Sequence, residues 1–203
     1  MRRLTILEYI SLDGIIQAPG GPDEDGEFPY GGWSAPFDDP VVDEALGASH
    51  GGPLDLLLGR RTYDIWSGHW PTAGASPIAD AFNAATKYVA THRPETLGWG
   101  PAEALGPDIA ADVRRIKAQA GPELILWGSS EITPALLEHQ LADEIVLLVS
   151  PVLLGLGKRM FAEGTPPREL KLIRTRIGVS GVVVHTYQPA GPLRTGTFGQ
   201  ETN

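Results

Sequence analysis

Apolar and polar positions fall into blocks that alternate between two periodicities. Leu4–Ile10 reads as a strand, stopped by the turn Ser11-Leu12-Asp13-Gly14. Residues 17–36 are crowded with Gly, Pro and acidic side chains and predict a loop. At about twenty residues it is long enough for a compact domain to use it for function. Asp39 is placed to cap a helix that starts at Pro40, with Val41, Val42, Ala45 and Leu46 on its apolar face and Gly51-Gly52-Pro53 as its stop. Leu54–Leu58 is short and almost wholly apolar, as in a strand covered on both faces.

The alternation continues. Pro77–Ala85 predicts a helix and Lys87–Thr91 a strand. Asp108 opens a helix whose Ile109, Val113 and Ile116 recur at helical spacing, and Gly121-Pro122 ends it. Glu123–Trp127 is a buried-looking strand running into Gly128-Ser129-Ser130, and Thr133–Gln140 predicts a helix. Glu144–Pro151 is a strand, while Leu170–Arg176 and Val182–Tyr187 read as a closing antiparallel pair. Strand and helix in alternation, then strands together, mean an α/β sheet with an antiparallel C-terminal edge. No repeat or composition shift marks a second domain, so the expectation is one domain over 1–190 and a polar tail over 191–203, free or ordered against a partner chain.

Composition narrows the function classes. The chain has 203 residues with a formal charge of −9, which argues against a nucleic-acid surface. The lack of cysteine removes disulfide frameworks, thiolate metal sites and thiol nucleophiles. The five histidines are scattered without ligand spacing, so no metal is expected. No apolar run approaches a membrane span, and Glu8 interrupts the N-terminal apolar stretch too early for a secretory signal, so a cytoplasmic protein is expected. Gly47-Ala48-Ser49-His50-Gly51 has the letters of a hydrolase nucleophile elbow but lies at a helix end rather than between strand and helix.

Two strand ends carry the chemistry. Leu58-Gly59-Arg60-Arg61-Thr62-Tyr63 runs from a buried strand into a helix start through a residue that lets a ligand approach the backbone and two phosphate-clamping guanidinium groups. Leu126-Trp127-Gly128-Ser129-Ser130 ends a second buried strand in the same manner. Phosphates bind at such carboxyl ends of open α/β sheets, and two of them point to a dinucleotide.

With Ser11-Leu12-Asp13-Gly14-Ile15-Ile16-Gln17, Trp70-Pro71, Lys87-Tyr88-Val89-Ala90-Thr91, Leu141-Ala142-Asp143-Glu144-Ile145 and Pro151–Phe161, these motifs stand in an order that resembles the dihydrofolate-reductase-like superfamily. Within it the chain is most similar to the carboxy-terminal reductase domain of the bifunctional riboflavin-biosynthesis deaminase/reductase. The resemblance spans residues from about 4 to 188. It implies a three-layer fold with a mostly parallel mixed sheet of about eight strands between helices. It also implies NADPH as cofactor and reduction of a small heterocycle, a pteridine or a ribosylaminopyrimidine that carries a phosphate. By the same resemblance Gly59, Arg60, Arg61 and Thr62 hold cofactor phosphates, and Gly128, Ser129 and Ser130 lie along the pyrophosphate. Thr91, His92 and Arg93 approach the adenosine ribose and its 2′-phosphate, although many relatives place Arg directly after the Thr, where this chain has His92.

Hydride transfer also needs a proton source. Asp43, on the first helix where dihydrofolate reductases keep their acid, and Asp13, at the mouth of the first strand, are the candidates; a solvated helix acid and an Asp-Gly turn are their plain structural alternatives. Trp33 and Phe37 either stack on a planar heterocycle or bury the long loop. A homodimer, with the closing strands or the tail contributing, is expected from the resemblance. The competing reading is a dimeric NADP(H)-binding sensor without efficient catalysis, motivated by the lack of an obvious acid.

Overall fold

A computed structural model describes residues 1–26, 28–161 and 163–198. Eight strands form a single sheet: β1 Leu4–Ser11, β2 Leu54–Gly59, β3 Lys87–Ala90, β4 Ala102–Leu105, β5 Glu123–Trp127, β6 Glu144–Ser150, β7 Arg168–Ile177 and β8 Val183–Pro192. Five helices flank it: α1 Pro40–His50, α2 Arg60–His69, α3 Pro77–Ala84, α4 Ile109–Ala118 and α5 Ile132–Glu138. The strand order is β4-β3-β2-β5-β1-β6-β8-β7; the first six are parallel neighbours, and β8 and β7 are antiparallel. This is a dihydrofolate-reductase-like architecture.

Local chemistry sets most element ends. Asp39 accepts a hydrogen bond from the Val41 amide ahead of Pro40, and Asp108 does the same for Ala111 at the start of α4. The central strands are buried on both faces, and their side chains sort by parity. Ile6, Ile10, Leu57 and Leu126 meet Val113 and Ile116 of α4 and Leu136 of α5. On the other face Leu7, Leu56, Leu58 and Val89 meet Val42 of α1, Tyr63 of α2 and Phe82 of α3.

The structure differs from the sequence reading in two places and decides a third that the sequence leaves open. Ala102–Leu105 is an additional edge strand; its Ala-Glu-Ala-Leu sequence is too short and too poor in β-branched residues to announce itself, and only pairing with β3 makes it a strand. Strand β8 runs past Gly191, which pairs with Glu169, to Pro192, and Arg194 forms an ion pair with Glu169, so the start of the expected tail is tied to the sheet. Residues 199–203 of that tail lie outside the described residues. Trp33 joins Ile15, Ala18 and Phe28 in a small core beneath the long loop, its indole N–H donating to the Gln17 carbonyl at 2.7 Å, and Phe37 packs against the core on the α1 side. Both aromatics therefore bury the loop, the second of the two roles open to them. Ser49 is inside α1, its hydroxyl donating to the Ala45 carbonyl at 3.0 Å, which is not nucleophile-elbow geometry. Among the described residues no helix is long and apolar enough to cross a membrane.

Candidate active site

The sheet has a gap at its centre. Strand β1 pairs with β5 only over Leu4–Leu7, because β5 ends at Trp127, opposite Leu7. Strand β1 continues to Ser11 beside β6, leaving its other edge open from Glu8 onward. The chain leaves β5 through Gly128 and Ser129, whose φ angles of 69° and 76° turn it away from the sheet. A cleft of ≈1320 Å³ passes through this opening. It runs from Thr91 and Gly106 at the tips of β3 and β4, past the tips of β2 and β5, to Glu8 and Tyr9 on β1.

The two Gly-ended strands predicted to act together do meet. A Cβ on Gly59 would lie 2.9 Å from the Ser129 hydroxyl oxygen, and one on Gly128 would lie 2.6 Å from Thr62 Oγ1, so each turn packs on the other where it has no side chain. Gly59 offers α2 no side-chain cap, so the amides of its first turn are open to an anion. Gly59, Arg60, Arg61, Thr62, Thr91, His92, Arg93, Gly128, Ser129 and Ser130 all line the cleft. The donor set suits phosphates. The cleft also exceeds the roughly 300–1,000 Å³ of a single drug-sized site, leaving room for a dinucleotide and a small substrate. The residues present therefore fit NADPH.

The two arginines behave differently. Arg60 bridges α2 to the segment after β3, donating to Asp64 at 2.9 Å, Thr91 Oγ1 at 3.2 Å, the Arg93 carbonyl at 3.1 Å and Thr96 Oγ1 at 2.6 Å. It shapes the wall. Arg61 is more exposed and pairs with Asp25 of the long loop, which also accepts from Gln17 at 2.7 Å and faces Lys158. Burial pushes the Asp25 carboxyl up, but Arg61, Gln17 and Lys158 outweigh it and hold the group below its ordinary range. The loop thus overhangs the cleft with buried Asp25 neutralised by the first turn of α2.

Neither predicted acid lines the cleft. Asp13 is bound into a turn, accepting from the Ser11 hydroxyl at 2.6 Å and the amides of Gly155 at 2.7 Å and Leu154 at 3.2 Å, which lower its pKa to about 2. It ties the end of β1 to the loop after β6. Asp43 is exposed on α1 and reaches the site only as a field on Tyr9. Burial first, then the Asp38 and Asp43 charges, push the Tyr9 phenol up to about 12, so it stays a neutral donor.

Of the acids that line the cleft, Glu8 is the most buried, 3% exposed. Burial raises its pKa well above the usual carboxylate range, with a small further push from Glu24, against backbone hydrogen bonds at Tyr9 and Gly128 that lower it. Among the described residues it has no cationic partner, so burial favours its neutral, protonated form. By strand parity Glu8 faces the Ile6–Ile10 side and Tyr9 the Leu7 side, and the gap beside β5 lets both reach the same cleft. Sequence reasoning passed over Glu8, although a lone carboxylate inside a strand that otherwise reads as buried is itself a signal.

Comparisons with known proteins identify the family and the fold. The profile of the RibD C-terminal domain matches residues 2–184. The uncharacterized protein YyaP of Bacillus subtilis (strain 168) is 25% identical over 193 residues, 92% of this chain and 94% of that one. A putative riboflavin biosynthesis protein from Shewanella sp. PV-4 shares the fold at a TM-score of 0.66 and 20% identity, over 93% of this chain and 99% of that one. Dihydrofolate reductase from Enterococcus faecalis, solved with NADP(H), does so at 0.59 and 14% identity, over 92% and 96%.

Proposed function

The chain belongs to the RibD C-terminal domain family, a family of reductases, and from that premise we propose that it is an NADPH-dependent reductase of a small conjugated heterocycle. The observation that carries this reading is the mutual packing of the Gly59 and Gly128 turns at a gap in the sheet whose open edge holds a buried carboxyl, Glu8, with its pKa raised. Bound NADPH supplies a hydride. The first turn of α2 and the Gly128–Ser130 turn, which line the cleft, would hold its phosphates, and Thr91, His92 and Arg93 would stand at its ribose end. Glu8, whose burial favours the protonated form, gives a proton to a substrate nitrogen or oxygen in the gap and is reprotonated from water. Tyr9, at about 12, is too weak an acid for that transfer and acts as a hydrogen-bond donor. The sensor alternative rests on the lack of an acid in the cleft, and Glu8 removes that motive.

Titration with NADPH, followed by calorimetry and thermal shift, tests the reading: saturable binding is expected, and no binding at millimolar cofactor ends it. Arg93→Ala should weaken NADPH about tenfold and leave NADH unchanged, since an exposed Arg bound to a phosphate contributes a charge-assisted hydrogen bond that the 2′-hydroxyl does not take up. Equal losses for both coenzymes would place the 2′-phosphate elsewhere.

A further inference from the structure

The substrate end of the cleft has a distinct chemistry. Trp127 lies between Tyr9, at a ring-centroid distance of 6.0 Å and 26°, and Trp66, at 5.8 Å and 57°. Trp66 in turn stacks on Phe82 at 4.9 Å and 15° and meets Trp70 edge-on at 5.8 Å. Tyr9, Trp66 and Trp70 are only half-buried, so part of this aromatic wall is open, with Leu46 and Ile78 beside it. A wall of this kind favours a flat apolar body.

The charges nearby disfavour an anion. Arg61 and Lys158 face Asp25, and Arg60 is committed to Asp64, Thr91 and Thr96. Arg93 stands beside Asp64 at 3.6 Å, at the opposite end of the cleft. Two imidazoles meet the aromatic wall: His69, exposed and edge-on to Trp70, and His50, stacked on Trp127 at 5.7 Å, which burial keeps neutral by lowering its pKa to about 4. The overhanging loop adds Asp23 and Glu24, which have no ion-pair partner among the described residues, and the field of Glu24 reaches Glu8. A phosphate at this end meets carboxylates and no free guanidinium. The polar handle on the wall is the Tyr9 hydroxyl, which makes no side-chain hydrogen bond among the described residues and lines the cleft.

We infer that the substrate of this chain is an uncharged, flat, conjugated ring without a phosphate group, which stacks in the wall of Trp66 and Trp127 and presents an oxygen or nitrogen acceptor to the Tyr9 hydroxyl. This rests on the reductase reading for the role of the ligand as substrate, and it departs from the phosphorylated substrate that the family resemblance implies. Calorimetric titration of the NADPH-free protein with 1-naphthol and with 1-naphthyl phosphate tests it, because the two probes share a ring and differ by the phosphate. Naphthol is expected to bind at least about tenfold more tightly than its phosphate ester. Trp66→Ala should weaken naphthol about tenfold or more, and Tyr9→Phe about threefold to tenfold, the worth of one hydrogen bond. Equal or tighter binding of the ester, or no naphthol binding at millimolar concentration, overturns the inference. Should Trp66→Ala fail to fold, the wild-type pair and the conservative Tyr9→Phe still decide it. NADPH titration of the same samples separates the two readings: NADPH binding with the ester preferred overturns the substrate class alone, and naphthol binding without NADPH binding overturns the reductase alone.

Discussion

Replacing Glu8 by Gln should cut turnover about 10²–10⁴-fold and, at neutral pH, make the protein more stable. The first effect follows from losing the cleft carboxyl that burial biases toward its protonated form; Gln keeps the shape and cannot release a proton. The second follows from linkage. A carboxyl whose folded pKa is raised stays protonated in the fold while the unfolded chain releases its proton near pH 4.3. Between those two values the unfolded state binds fewer protons, so stability falls as pH rises, by at most about 1.4 kcal/mol per pH unit. Below the unfolded value the penalty is absent. Thermal melts should therefore show wild type and Glu8→Gln converging near pH 4 and separating in favour of the variant toward pH 8, at about 2–4 °C per kcal/mol. NADPH affinity should change little. Turnover within about twofold of wild type would mean that the proton comes from elsewhere, and a wild type as stable as the variant at pH 8 would mean that Glu8 ionises in the fold.

Replacing Gly128 by Val should weaken NADPH about 10²-fold and lower stability by about 2–5 kcal/mol. Two costs add. At φ 69° the backbone is in the left-handed region, which costs an L-residue about 1–2 kcal/mol and suits a β-branched one least. The new Cβ would also stand 2.6 Å from Thr62 Oγ1, so the turn after β5 and the first turn of α2 must move apart. That displacement separates the two groups of residues proposed to hold the phosphates. Gly128→Ala keeps the same backbone strain with a smaller side chain and should lose less of both. Thermal melts and NADPH calorimetry on the two variants check this; unchanged NADPH affinity in Gly128→Val would mean that the two turns do not share one ligand.

Much of the site was legible because it lies in contiguous segments with strong local chemistry. Gly59 to Thr62 and Gly128 to Ser130 each combine a strand end, a backbone-permissive residue and donors, and each lines the cleft. The roles of the arginines were not legible. Arg60 and Arg61 are adjacent and alike in sequence, yet one is drawn to Thr91 and Thr96 and the other to Asp25, partners brought near only by the parallel pairing of β2 with β3 and by the fold of the long loop. The acids were the least legible part. Asp13 and Asp43 carry the residue type the chemistry needs, but a turn consumes one and solvent surrounds the other. Glu8 stands in a segment whose apolar neighbours made it look like an interruption.

By itself the sequence determined the alternation of strand and helix, the caps at Asp39 and Asp108, the closing antiparallel strands and the two phosphate-type turns, since all of these depend on neighbours within a few positions. Tertiary structure decided which strand ends where beside which. By stopping β5 at Trp127 while β1 runs on to Ser11, it opened the gap, buried Glu8 there with no cationic partner among the described residues, and lined the other side with Tyr9, Trp66 and Trp127. Strand registry and burial depend on residues more than a hundred positions apart, and the ionisation of a carboxyl depends on both.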